Sequence, residues 1–233
     1  MNDTGATVSA LPPPCERNWT WRIIQFVMQN IFTFWLQFRA RGLEHLPPGG
    51  ALFLVNHQSF IDPLLVAAAL ERPVSFVARD SLFRIPVIGW ILRNTYVMPI
   101  KRESAGADSI REAVRRLQHG FYVGLFPEGT RTNDGQMGTI KPGFQLICRR
   151  ANVPIIPVGL AGAYHAMPKG AWFLYPVPIR VVYGEPISAE QVSELCQRGR
   201  ESEFVNLVGT RIADALKQAS EWLDADTTGP RKM

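Results

Sequence analysis

The sequence predicts an α/β domain, a mixed, largely parallel sheet flanked by helices, on three observations. Short apolar runs bounded by turn residues recur at residues 51–55, 74–78, 95–100, 121–126, 154–160 and 179–184. Each is too brief for a helix and reads as a buried strand. Helical patterns lie between several of them, at residues 63–70, 105–119 and 143–151, and strands alternating with helices argue for an α/β sandwich around parallel strands. With 233 residues, 46% hydrophobic and only 19% charged, the chain can bury the core of one such domain.

Taken in order, residues 1–16 are polar or Pro-rich and are expected to form a disordered tail. Residues 17–41 follow as an amphipathic helix. On a 3.6-residue period Arg22, Gln25, Gln29, Thr33 and Gln37 form one narrow polar stripe, and the remaining positions are mostly apolar and rich in aromatics. Crossing a bilayer takes roughly 20 predominantly apolar residues. Residues 23–38 supply sixteen, interrupted by four amides. Arginines flank the segment, and Trp19, Trp21 and Trp35 suit the headgroup zone, so the helix is expected to lie in the membrane interface. The ordinary alternative packs its apolar face on the domain core. Removal of residues 1–40 is then expected to release the protein from membranes. Residues 42–224 make the main domain, closed by a helix over residues 201–223, and residues 225–233 read as a flexible tail.

The net charge of +5 favours contact with phosphate in some form. From Arg72 to Arg102 six basic residues face the single acid Asp80. No nucleic-acid reader motif accompanies this charge, which argues against nucleic acid as a partner. Cys15, Cys148 and Cys196 are widely spaced and have no partner pattern, so neither a disulfide framework nor a metal site is implied, and a reducing cytoplasmic setting fits.

The candidate chemistry begins with NHQSFIDP, residues 56–63, directly after the first predicted strand. His57 stands five residues ahead of Asp62. A loop that folds back lets the carboxylate accept the Nδ1 proton and leaves Nε2 as a base. Asp62-Pro63 is equally a good helix start, with Asp62 as N-cap. FPEGTRT, residues 126–132, follows the strand FYVGLF. Gly129 permits close backbone approach there, and Arg131 offers a planar fork that pairs with phosphate. An internal Glu128 to Arg131 pair is the plainer reading. Lys141 stands beside the amides that open the next helix. VPIIPVGL, residues 153–160, carries two prolines inside a strand-like run, which disfavours a central ladder position and suggests a shaped wall or strand entry. Ligands bind where such strands end, so the loops after Val55, Ile100 and Phe126 are expected to converge.

NHQSFIDP, YVMPIKR, FPEGTRT and VPIIPVGL, in this order, resemble the four blocks of the glycerolipid acyltransferase family, which contains 1-acyl-glycerol-3-phosphate acyltransferase. The likeness covers about residues 42–184. It implies His57 as general base, Asp62 as its orienting partner, Arg102 in the second block, and Glu128, Gly129, Thr130 and Arg131 around the acceptor's phosphate, with Lys141 matching a recurrent lysine. It also implies that VPIIPVGL lines the acyl channel. One departure is Tyr96, where the family usually has glycine; its ring is expected to narrow the acceptor pocket or stack on a different headgroup.

The implied reaction moves a fatty acyl group from acyl-CoA or acyl carrier protein to lysophosphatidic acid. No cofactor beyond the thioester donor is expected. No G-x-S-x-G elbow occurs, which favours direct transfer over an acyl-enzyme. The implied partners include membrane phospholipids, at the cytoplasmic face of the cell membrane. The same chemistry on another lyso-lipid or on glycerol phosphate is one alternative, and a non-catalytic lipid-binding protein another.

Overall fold

The computed structural model describes residues 11–100 and 107–228. Its elements are α1 (Trp19–Trp35), β1 (Arg39–Arg41), β2 (Ala51–Val55), α2 (Asp62–Ala68), β3 (Val74–Ser75), β4 (Val77–Arg79), α3 (Asp80–Phe83), α4 (Pro86–Asn94), β5 (Met98–Ile100), α5 (Ala107–Gln118), β6 (Tyr122–Leu125), α6 (Gln145–Ala151), β7 (Ile155–Ala161), α7 (Ala163–Ala166), β8 (Arg180–Tyr183), α8 (Ala189–Leu195) and α9 (Glu201–Thr228). The main sheet has the order β1-β8-β7-β2-β6-β3. β7, β2, β6 and β3 run parallel, and β8 turns antiparallel against β7 with β1 parallel beside it. The mixed, largely parallel sheet expected from the sequence is therefore present, with apolar clusters on both faces.

The helix expected over residues 17–41 ends at Trp35. Leu36 leaves helical geometry, Gln37 adopts φ +43°, and the Phe38 N–H returns to the Phe32 carbonyl at 3.0 Å. The bond spans seven residues, one more than in the usual left-handed helix end, and the left-handed turn is made without a glycine. The chain then enters β1, whose Arg-Ala-Arg sequence suits an edge strand that must not recruit another chain. Of the polar stripe of α1, Arg22, Thr33 and Gln37 are exposed, and two members reach the domain. Gln25 and Gln29 donate to the Leu70 and Ala68 carbonyls at 2.6 and 2.7 Å, satisfying groups at the end of α2. Phe32 and Leu36 fill the core, while Trp19, Phe26 and Phe34 are exposed. Among the described residues no helix is long and apolar enough to cross a membrane.

Three further expectations are corrected. The run over residues 74–78 breaks at the buried Phe76: β3 joins the main sheet and β4 pairs with β5 in a separate two-stranded sheet, so the strand expected over 95–100 is outside the main sheet. The proline-bearing segment forms a central strand, β7, buried at every residue between β8 and β2. Pro157 is tolerated because it lies opposite Gly184, just beyond the end of β8, and its carbonyl accepts the Gly184 N–H at 2.8 Å. At the carboxyl end α9 continues to Thr228, so residues 225–228 are helical. Asp226 accepts from the buried Arg180 at 2.6 and 3.0 Å, and Arg180 also donates to the Gln37 and Ile179 carbonyls.

Candidate active site

β2 and β6 are neighbours in the sheet, so the loops that leave their carboxyl ends meet. Asn56 closes the end of β2 by exchanging two hydrogen bonds with the backbone of Leu160 on β7, at 3.0 and 2.8 Å. His57 follows, and its Nδ1 lies 2.8 Å from Asp62 Oδ2. The same oxygen accepts the N–H groups of Gln58 and Ser59, each at 2.7 Å. Asp62 is the first residue of α2 and Ile61 occupies the N-cap position, so the carboxylate is turned back into the loop rather than capping the helix. It is fully buried, and burial pushes its carboxyl above the ordinary value despite the hydrogen bonds that favour the charged form.

The imidazole is fixed from a second direction. It stacks on Phe126 with ring centroids 3.9 Å apart, and Phe126 stacks in turn on Phe76 at 5.4 Å. Gly124 makes room for this column, since a Cβ there would stand 2.3 Å from the Phe76 ring. His57 keeps 18% of its side chain exposed, and Nε2 takes no hydrogen-bond partner among the described residues. An imidazole oriented through Nδ1, with Nε2 presented outward, can accept a proton from a hydroxyl in front of it.

Glu128 joins the two loops. Its Oε1 accepts the His57 N–H at 2.7 Å and its Oε2 the Gly138 N–H at 2.8 Å, instead of pairing with Arg131. Burial raises this carboxyl as well, opposed by the two N–H bonds. The Thr132 N–H closes the seam by donating to the His57 carbonyl at 2.9 Å. Gly129 has φ +71°, and a Cβ on it would approach the Lys141 ammonium to 3.1 Å. Thr130, Arg131 and Lys141 line an open recess of about 400 Å³ next to Glu128. The same lining carries the carboxylates of Glu128 and Asp134, which are engaged by hydrogen bonds from His57, Gly138, Thr132 and Gln136, so the capacity to pair with an anion rests on Arg131 and Lys141.

The sequence-predicted residues thus fall into one neighbourhood, with two exceptions. Arg102 lies outside the described residues. Tyr96 lies at the far end of the sheet: its ring packs on Phe121, which precedes β6, and its hydroxyl donates to the Glu16 carbonyl at 3.1 Å. It also has φ +63°, the left-handed region that favours glycine, which accounts for the usual glycine there without reference to a pocket. Sequence reasoning missed the Phe76–Phe126 column and Gln58, whose amide bridges Gly135, on the loop after β6, and Tyr164 of α7. The Ser59 hydroxyl, two residues after His57, is buried and donates to the Met167 carbonyl at 2.7 Å.

A histidine braced by a buried carboxylate at parallel strand ends, beside a recess that holds Arg131 and Lys141, defines a site that can activate a hydroxyl near an anion. A family profile described as Acyltransferase matches residues 37–161. The 1-acyl-sn-glycerol-3-phosphate acyltransferase of Pseudomonas aeruginosa is 33% identical over 192 residues, covering 75% of this chain and 74% of its own. The chloroplastic 1-acyl-sn-glycerol-3-phosphate acyltransferase BAT2 of Brassica napus is 34% identical over 175 residues, covering 72% of this chain and 51% of its own. The chain spans about half the length of such plant relatives. The crystal structure of PlsC, the 1-acyl-sn-glycerophosphate (LPA) acyltransferase from Thermotoga maritima, matches with a TM-score of 0.71 at 26% identity, covering 84% of this chain and 78% of that one. The chain belongs to the acyltransferase family.

Proposed function

We propose that the protein transfers a fatty acyl group from a thioester, acyl-CoA or acyl carrier protein, to the free hydroxyl of 1-acyl-sn-glycerol-3-phosphate, giving phosphatidic acid. The observation that carries this reading is the His57–Asp62 pair at 2.8 Å, in a loop bonded through Glu128 to the one bearing Arg131. His57 Nε2 takes the acceptor's hydroxyl proton as the oxygen attacks the thioester carbonyl, and Asp62 steadies the imidazolium. The tetrahedral oxyanion collapses, the C–S bond breaks, and the thiolate leaves with the proton held by His57. Ser59, occupied by Met167, is a poor nucleophile here, which supports direct transfer.

Arg131 and Lys141, with Thr130 and the Gly129 backbone, would hold the acceptor's phosphate, and Arg102 is assigned to the same task on the family pattern. Glu128 is assigned a different role, that of tying the two loops together, because a carboxylate repels a phosphate and both its oxygens are engaged by backbone. An apolar groove between α1 and α2, lined by Trp21, Ile24, Met28, Leu64, Ala67 and Phe76, is suited to the acyl chain. It shares Phe76 with the column behind His57 and excludes β7. The outward apolar face of α1 supports peripheral attachment to membrane phospholipids. The cytoplasmic face is assigned as the side of contact on the wide spacing of Cys15, Cys148 and Cys196 in the sequence, which offers no disulfide framework.

Tyr96, the feature that kept another acceptor in view, is remote from the site. A lipid binder without activity would leave the braced histidine unexplained. The test is release of free thiol when the purified protein is given acyl-CoA or acyl carrier protein thioester with a panel of lyso-lipids. Lysophosphatidate is expected to give the fastest release, and no release with any acceptor would refute the reading.

A further inference from the structure

Trp172, Phe173 and Tyr175 form an aromatic cluster on the loop between α7 and β8, and Trp172 is 91% exposed. The loop is built rather than loose. Leu174 and Val177 pack on the core, the Tyr175 N–H donates to the Ala166 carbonyl at 2.8 Å, and the Val177 N–H returns to Tyr175 at 2.9 Å. Holding three rings against water in this way is unfavourable unless something covers them.

The loop is joined to the outer face of α1. Trp35 donates through Nε1 to the Leu174 carbonyl at 2.9 Å, and beside it Phe34 is 82% exposed, continuing a ridge through Ile31, Val27 and Phe26 to Trp19. The loop is also joined to the site, because Ser59, two residues from His57, donates to Met167 at its start. Arg17 and Arg22 around the start of α1 and Lys169 on the loop are exposed and pair with no acid among the described residues, whereas Arg39 and the buried Arg180 are taken up by Asp226. Indole and phenol rings favour the headgroup zone, and basic residues without carboxylates are complementary to anionic lipids.

We infer that the aromatic loop at residues 172–175 is a second contact with an anionic phospholipid bilayer, acting with the outer face of α1 to seat the mouth of the His57 site at the lipid surface. The inference rests on the reading that the acceptor is a membrane lyso-lipid. Two contacts on separate elements fix the tilt of the protein on the bilayer, which one helix lying in the interface would leave free to roll.

The test is sedimentation of the full chain with vesicles of phosphatidylethanolamine and phosphatidylglycerol. It is paired with acylation of lysophosphatidate presented in those vesicles and, separately, as a short-chain monomeric form. Trp172→Ala combined with Phe173→Ala is expected to weaken vesicle partitioning about tenfold, to raise KM for the vesicle-borne acceptor, and to leave turnover of the monomeric acceptor unchanged. Should that variant fail to fold, Trp172→Phe gives a second readout: brominated acyl chains quench a fluorescence component in the parent protein that this variant lacks. Partitioning equal to the parent's, or quenching identical in the two proteins, overturns the inference. So does an effect confined to oligomeric state in sedimentation velocity, which would make the patch a contact between copies. Absence of acylation by the parent protein in both presentations refutes the activity instead, and the vesicle measurement then decides the loop by itself.

Discussion

The imidazole of His57 lies on the ring of Phe126, with centroids 3.9 Å apart and planes inclined by 16°. With Nδ1 held by Asp62, only the Nε2 edge is left to meet a substrate. His57→Ala should therefore leave acceptor and donor binding near the parent values while lowering kcat by about 10²- to 10⁴-fold, the usual contribution of a general base. Thiol-release kinetics check it, and a variant retaining the parent kcat would remove His57 from the chemistry.

The column behind that ring depends on Gly124. A methyl group there meets Phe76 at 2.3 Å, so Gly124→Ala must displace Phe76 and, through Phe126, the imidazole. Overpacking of this kind costs about 1–3 kcal/mol. Thermal unfolding should register that loss, and kcat should fall by more than KM changes. An unchanged kcat would mean the stack does not set the orientation of the base.

Asp62 couples activity to stability in opposite senses. Burial holds its carboxyl above the ordinary value of 3.8, so the native state keeps that proton to higher pH than the unfolded chain does. The residue's contribution to stability is then greatest below that ordinary value and declines as pH rises through the raised one. Asp62→Asn carries no such charge. Its melting temperature relative to the parent should rise with pH, while kcat falls about 10²- to 10⁴-fold as imidazole orientation is lost. A relative melting temperature that drops with pH would contradict the cause assigned here.

Arg131→Ala should act on binding. The guanidinium lines the recess and is not placed on the reacting atoms, so the loss falls on ground and transition states alike. KM for the phosphorylated acceptor should rise with kcat little altered. An effect restricted to the acyl donor would reassign Arg131 to the donor's phosphates.

Tyr96→Gly should leave KM for lysophosphatidate unchanged, because the ring packs on Phe121 at the far end of the sheet. Relief of the positive φ recovers about 1 kcal/mol, offset by loss of the ring contact and of the hydroxyl's bond to Glu16. The melting temperature should accordingly move by only a few degrees. A several-fold change in KM would restore Tyr96 to the acceptor pocket.

What was legible in the sequence was local. His57 and Asp62 are five residues apart in one loop, and the apolar run before them marks β2 without ambiguity. The bond from Glu128 to His57 crosses 71 residues, and no spacing announces it. The end of α1 was hidden because the apolar pattern persists to Phe38 while the reversal is made by Gln37, a residue type that gives no turn signal. The prolines of β7 misled for a geometric reason: Pro157 has a neighbour on each side, but its rung toward β8 falls just past Tyr183. The break at Phe76 likewise follows from Gly124 on the adjacent strand, a tertiary fit that sequence periodicity does not encode.

The pairing of Arg39, Ala40 and Arg41 with Arg180, Val181 and Val182, together with the burial of Phe32 and Leu36, makes α1 an integral part of the domain. Trimming away residues 1–40 would thus unzip a sheet margin and hollow the interior, and would not liberate an intact domain. Helix and histidine share one frame, so any lean that a lipid surface imposed on the first would be transmitted to the second.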